Sequence, residues 1–359
     1  MEGLGAALRR SAWGGSKLSS DAQSVGLILA IQRFRSPVAD LYFTATSFLA
    51  NADFYLLALP TMIWQGLPNT GRRATYMITS SLIMGNTLKD LAGFPRPPSP
   101  PVWRPSQAAA LDSTSFADFG WPSTHAMNAV SNTIFVAMCL RPYWQDSQRG
   151  RRFVSIGLIL WVGSIIFGRL YLGAHGLSDI RWGIGLGLAV VSLWLPLAER
   201  FDAWVSHSPS ALWLLAVGTF AFFRVLPRRL LISVSTRQSA ELAGLFLGCA
   251  AGSRREARRG GPLPPVPASA ASPRPKELAA AVQREVVGFS IVLLVRMLAK
   301  FIGGHLVRLG QHHGVVSASA APLLLKVSSY FAVAWSITDA VPAVFRQRGI
   351  IAPVLDGKG

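Results

Sequence analysis

Three short blocks hold the residues able to do chemistry. Lys89 stands seven positions before Arg96-Pro97, Pro122-Ser123-Thr124-His125 follows, and Arg169, His175 and Asp179 come last, at intervals of six and four. Together they supply three fixed cations, two imidazoles, a hydroxyl and a carboxylate. Cations neutralise an oxyanion, and a carboxylate beside an imidazole holds it as an oriented nucleophile or base. A second imidazole can carry the proton that a leaving alkoxide takes. That set suffices to break a phosphate ester without a metal. Each block also lies at the edge of an apolar stretch, where ionisable groups are expensive and seldom kept without a use.

Taken singly, each block has a plainer explanation beside the chemical one. In Lys89-Asp90-Leu91-Ala92-Gly93-Phe94-Pro95-Arg96-Pro97, the prolines stop the helix and hold Arg96 on a stiff turn. Its planar guanidinium matches phosphate oxygens. The plain alternative is a pair of interfacial cations snorkelling toward headgroups. In the second block, a proline followed by small hydroxyl residues reads as a helix start, which is also an anion site because backbone N–H groups and the helix dipole point outward there. Ser123 adds a hydroxyl donor, and capping does not account for His125. In the third block, a helical 175–179 puts His175 and Asp179 on one face at i, i+4. An aspartate that takes one imidazole N–H fixes the tautomer and leaves the other nitrogen's lone pair free. The plain alternative is a helix-start His–Asp pair beside an interfacial arginine.

The elements that must position these residues are membrane helices. The chain of 359 residues is 51% hydrophobic and 14% charged, with a mean hydropathy of +0.37. A soluble domain of this length carries more charge, so the class is integral membrane. Candidate spans, at ~20 apolar residues each, fall at 52–68, 74–93, 124–141, 153–172, 178–198, 210–226, 239–252, 285–304 and 321–341. The stretch 239–252 is short, re-entrant or half a span, and 38–50 is too short to cross, so it lies at the interface or packs into the bundle. Strand alternation is weak everywhere, which predicts an all-α, polytopic transmembrane helical bundle. The chain divides in sequence into a basic N-terminal segment (1–37), a catalytic membrane bundle (38–200), additional membrane helices (201–252), a flexible basic Pro-rich linker (253–284) and a C-terminal membrane helical pair with its tail (285–359).

The net charge is +18. The arginines sit in short loops between apolar segments, as membrane topology and headgroup contacts use them. No basic face interleaved with aromatics appears, so nucleic acid is not an expected partner. The loops at 67–73 and 141–152 and the linker carry the arginines, and the positive-inside rule turns them to the cytosol. The three blocks lie at the opposite helix ends and so face the lumen or the exterior. The two cysteines, Cys139 and Cys249, both fall in apolar stretches and exclude a disulfide framework or a cysteine metal site. No HExxH or carboxylate cluster predicts a metal. No apolar run follows the basic N-terminus at signal-peptide distance, so no cleavable signal is expected.

In combination the blocks resemble the signature of the type 2 phosphatidic acid phosphatase (PAP2) superfamily: Lys-x6-Arg-Pro, Pro-Ser-Gly-His and Ser-Arg-x5-His-x3-Asp. Lys89/Arg96 and Arg169/His175/Asp179 keep that spacing without insertion. Lys89-Asp90, Pro95-Arg96-Pro97-Pro98-Ser99-Pro100-Pro101-Val102 and Pro122-Ser123-Thr124-His125-Ala126-Met127 are most similar to the sphingosine-1-phosphate, or long-chain-base phosphate, phosphatase branch. The resemblance covers about residues 38–200. Thr124 replaces the superfamily's Gly, as in that branch, and Gly168 replaces the Ser before Arg169.

The resemblance implies a PAP2-type helical core that dephosphorylates a lipid phosphate monoester without metal or cofactor. Lys89, Arg96 and Arg169 would clamp the phosphate, with Ser123 and the Thr124 N–H completing the cradle. His175 would form a phosphohistidine, Asp179 would orient it, and His125 would protonate the leaving alkoxide and then activate water. The implied substrate is sphingosine 1-phosphate or a related long-chain-base phosphate, in the endoplasmic reticulum membrane with the site facing the lumen. The alternatives are phosphatidic acid, lysophosphatidic acid or a polyprenyl diphosphate as substrate, or a non-hydrolytic lipid-binding or headgroup-transfer role.

Overall fold

A computed structural model describes residues 23–104, 119–141, 144–226, 230, 233–259, 275–317 and 320–350. Among them all regular structure is helical, as the sequence predicts. The order is α1 (Gln23–Gln32), α2 (Pro37–Phe48), α3 (Ala52–Trp64), α4 (Pro68–Ala92), α5 (Thr124–Cys139), α6 (Gln148–Tyr171), α7 (Leu177–His207), α8 (Ala211–Val225), α9 (Val234–Arg258), α10 (Pro275–His312), α11 (Ala321–Trp335) and α12 (Val341–Arg348). A π-helical turn, Ser336–Ala340, joins the last two. Serines cap several of these helix starts. Ser36, Ser123 and Ser147 accept the N–H groups of Ala39, Ala126 and Gly150 at 3.2, 3.3 and 3.3 Å, which satisfies donors that a helix start leaves without an intrahelical partner.

The expected spans separate into two kinds. Among the described residues, four helical stretches are long and apolar enough to cross a membrane: Gln148–Tyr171, Leu177–His207, Leu278–His312 and Ala321–Arg348. They turn large apolar residues outward, such as Phe153, Ile159 and Leu160 on α6 and Leu293, Met297 and Phe301 on α10. The expected spans 74–93 and 124–141 correspond to α4 and α5, which are richer in polar residues. Helix α5 has 16 residues and is buried along 124–132. A helix enclosed by others needs no lipid-compatible surface, so it can carry Asn128, Ser131 and Asn132 inward. The chain is an integral membrane protein.

The chain forms two compact units. The first comprises Met1–Tyr55, Ser81–Leu195 and Pro227–Ser239, and the second Leu56–Ser80, Pro196–Leu226 and Ala240–Gly359. In the first, α5 and α7 approach until their backbones touch. A Cβ at Gly183 would stand 2.5 Å from the Ser123 carbonyl, and one at Gly187 would stand 2.5 Å from that of Met127. Small residues four apart permit this approach. Gly185, between them, faces open space. Gly183→Ala should therefore lower the apparent melting temperature in detergent, at an overpacking cost of about 1–3 kcal/mol. Gly185→Ala should leave it unchanged or raise it, because alanine is the better helix former by about 1 kcal/mol. Equal melting temperatures for the two variants would refute the contact.

The second unit has its own core of Ile63, Trp64, Val333, Ile337, Val341, Phe345 and Ile350. A buried charge network lies at its helix ends. Arg72 pairs with Asp202 at 3.0 Å and with Glu256 at 3.5 Å, and Arg346 reaches Glu256 at 3.1 Å. Arg72, read from sequence as a loop cation, is thus a buried member of an ion network. The same network explains the start of the expected linker. Helix α9 continues to Arg258, because Ser253 and Glu256 are buried and paired there. Helix α10 begins at Pro275, and residues 260–274 lie outside the described residues.

Candidate active site

All eight residues singled out by the sequence lie in the first unit. Helix ends place most of them. Lys89 and Arg169 occupy the last turns of α4 and α6, where a cation complements the negative end of the dipole. Ser123 caps α5, so Thr124 and His125 are its first residues, and their N–H groups have no intrahelical acceptor. Ser123 uses its oxygen to accept the Ala126 N–H, which leaves its own O–H proton to donate. Thr124 turns its methyl toward Gly85 of α4, where a Cβ would stand only 2.7 Å away. Asp179 is the third residue of α7, and its Oδ2 accepts the Gly176 N–H at 3.0 Å, one half of a capping box.

His175 stands in the turn between α6 and α7, so 175–179 is not one helical stretch. Helix α6 ends in a left-handed cap at Gly173, φ 64°, where Ala174 N–H returns to the Arg169 carbonyl at 2.9 Å. Helix α7 then starts at Leu177. A Cβ on Gly173 would meet Val102 Cγ1 at 2.3 Å, so glycine serves both the dihedral and the packing. His175 and Asp179 nevertheless meet, with Nδ1 and Oδ2 3.6 Å apart. On the other side of the ring, Nε2 is 3.2 Å from Arg96 Nη1, which also donates to the Ala174 carbonyl at 2.8 Å. A guanidinium only donates. The geometry therefore assigns the lone pair to Nε2 and the proton to Nδ1, facing Asp179.

The charges around His175 act together. The ring is fully buried. Burial first, then the positive charges of Arg96, Arg169, Lys89 and His125, hold the His175 imidazole well below its usual range. It stays neutral and keeps its lone pair at pH values where a free histidine is half protonated. The same four groups converge on the ring. The backbone joins the two helix starts as well, because Ser123 N–H donates to the Asp179 carbonyl at 3.1 Å. Lys89, Ser123, Thr124, His125, Arg169 and Asp179 are buried, and Arg96 is half-buried. The arrangement is a cluster of fixed positive charge around a neutral, oriented imidazole.

Asp90 does not join this set. It accepts from Ser233 Oγ at 2.5 Å and Thr236 Oγ1 at 3.2 Å, at the start of α9. Gly168, where the resemblance has Ser, lies against Phe43, whose ring would be 3.2 Å from a Cβ there. Among the described residues no group of three or more His, Cys, Asp or Glu side chains could hold a metal ion. Sequence reasoning missed Arg104. Its Nε donates to the Gly173 carbonyl at 3.2 Å and its Nη2 to the Pro97 carbonyl at 2.5 Å, tying the Arg96 loop to the His175 turn. The available signal was its place at the close of the same Pro-rich stretch.

Residues 71–202, which contain every residue of this site, match the PAP2 superfamily. Lipid phosphate phosphatase delta of Arabidopsis thaliana is 31% identical over 53% of this chain and 46% of its own length. A dihydrosphingosine 1-phosphate phosphatase of Schizosaccharomyces pombe is 33% identical over 51% of this chain and 44% of its own. Sphingosine-1-phosphate phosphatase 1 of Mus musculus is 28% identical over 84% of this chain and 70% of its own. The chain thus spans less than half the length of the first two. No solved structure matches it. The order of the blocks and the convergence of their side chains agree with the match of residues 71–202 to the PAP2 superfamily.

Proposed function

We propose that this protein is a metal-independent lipid phosphate phosphatase that acts on a sphingoid-base phosphate through a phosphohistidine at His175. One observation carries the mechanism: the buried His175 presents Nε2 beside Arg96 while Asp179 faces Nδ1. Arg96, Arg169 and Lys89 hold the phosphate oxygens, with the Ser123 hydroxyl and the Thr124 N–H beside them. Nε2 attacks phosphorus, an N–P bond forms and the P–O bond to the lipid breaks. His125 gives its proton to the departing alkoxide. Asp179 stabilises the positive charge that develops on the ring. In the second step His125 takes a proton from water, the hydroxide displaces phosphate from His175, and the enzyme returns to its first state. Fixed cations at the equatorial oxygens supply the stabilisation that a metal gives elsewhere.

The substrate class rests on the relatives. Two of the three are named for sphingoid-base phosphates and one for lipid phosphates in general. The loop arginines at 141–152 support a lumenal site, and the resemblance supports the endoplasmic reticulum. The deciding experiment measures phosphate release from sphingosine 1-phosphate and from phosphatidic acid in detergent micelles with EDTA. Release that persists in EDTA and favours the sphingoid substrate is expected. A preference for phosphatidic acid would keep the mechanism and change the substrate. Release abolished by EDTA and restored by a divalent metal would overturn the mechanism.

A further inference from the structure

Helix α1 is absent from the sequence reading, yet it touches both ends of the turn that carries His175. At one end, Ser24 Oγ accepts the N–H of Leu177, the first residue of α7, at 3.0 Å. At the other, Gln32 Nε2 donates to the carbonyl of Tyr171, the last residue of α6, at 2.9 Å. These are two groups that a helix start and a helix end leave unsatisfied. The same Gln32 amide also grips the loop that follows Arg96. Nε2 donates to the Trp103 carbonyl at 2.8 Å, and Oε1 accepts the Trp103 N–H at 3.0 Å. Between the two contacts Ile28 is fully buried in a cluster with Val102, Ala126, Leu170 and Ile180, from the Arg96 loop, α5, α6 and α7. A single short helix therefore caps the α6–α7 break from both sides and locks it to the Arg96 loop.

We propose that α1 is a positioning element for the attacking histidine, with Gln32 and Ser24 as its contact residues. The inference rests on the reading of His175 as the nucleophile. Neither residue touches the reacting atoms; they act by fixing where Nε2 stands relative to Arg96. A displacement of about 1 Å in a reacting group can cost 10²-fold in rate, so the contacts need not carry much energy to matter.

The test compares wild type with Gln32→Met, Gln32→Glu and Ser24→Ala in the full chain. Gln32→Met keeps the volume and removes all three hydrogen bonds. Gln32→Glu keeps the acceptor for Trp103 N–H and loses both donations. Three readouts are taken: kcat on sphingosine 1-phosphate, the inhibition constant of inorganic phosphate, and the acid limb of kcat/KM. Both Gln32 variants should lose about 10-fold to 100-fold in kcat, and Ser24→Ala should lose less. Phosphate inhibition should stay within about twofold, since Lys89 and Arg169 sit on their own helices. The acid limb should move to higher pH, because a loosened turn lets water reach a ring now surrounded by Arg96, Arg169, Lys89, His125 and Asp179. A role in folding alone would not move that limb. Unchanged kcat in all three variants, or losses that track the fraction of monodisperse protein with an unmoved acid limb, would overturn the positioning role and leave the functional reading intact. A wild-type protein that releases no phosphate from either lipid, and forms no phosphoenzyme, would remove the reading of His175 and the proposal with it.

Discussion

Replacing His175 with alanine should reduce phosphate release to background. Removing a nucleophile or its base elsewhere costs about 10⁶-fold in kcat. The variant should also fail to trap labelled phosphate on the protein after acid-free quenching from a radiolabelled lipid phosphate. Asp179→Asn is the informative partner. It preserves shape but offers an amide where the Nδ1 proton needs an acceptor, so it should slow the reaction strongly without removing the phosphoenzyme. The pH dependence follows from the same burial and surrounding cations. The folded imidazole titrates below the ~6.5 of a free side chain, so the lone pair survives as pH falls through that value. The acid limb of kcat/KM that His175 sets should therefore lie below pH ~6.5. A limb at or above that pH which disappears in a His175 variant retaining residual activity would contradict the buried, neutral ring.

The second large effect belongs to His125. Its place at the start of α5, among the residues whose charge acts on His175, suits a proton carrier better than a second nucleophile. His125→Ala should lower turnover of an alkyl phosphate by about 10²–10⁴-fold, the usual worth of a positioned acid or base. With a good leaving group such as p-nitrophenolate, which needs no proton, formation of the phosphoenzyme should be much less affected. Its hydrolysis should remain slow, because the same residue activates water. The variant should therefore accumulate phosphohistidine on the aryl substrate. Equal losses on alkyl and aryl substrates, with no accumulation, would remove His125 from both proton steps. Wild type and His125→Ala assayed side by side on both substrates, with label retention measured, decide this.

The chemistry of this chain was more legible than its architecture. Side-chain type and spacing single out Lys89, Arg96, Arg169, His175 and Asp179, because a charged residue at a membrane edge stands against an apolar background. The sequence made the His175–Asp179 contact conditional on a helical 175–179, and the two side chains stand 3.6 Å apart across a turn instead. A one-residue glycine cap at Gly173 shifts the helix start, and spacing alone does not reveal it. The supporting residues were harder to see. Gln32 and Ser24 act through main-chain groups of segments far away in sequence, and glutamine or serine in an apolar helix has no pattern that points to such a partner. Arg72 read as a topology signal because its partners, Asp202 and Glu256, are more than a hundred residues distant. Only folding brings such pairs together, and a buried ion network looks like scattered loop charge until it does. The glycines 183 and 187 did carry a local signal, two small residues one turn apart.

Because α5 and α7 meet main chain to main chain at those glycines, the register between their starts is set by atoms common to every amino acid. Outer residues of α6 such as Phe153, Ile156 and Leu160 take no part in that register. Mutational drift on such outward faces can adapt the protein to a thicker, thinner or differently composed host membrane. The reacting geometry would be inherited unaltered while the surface around it diverges.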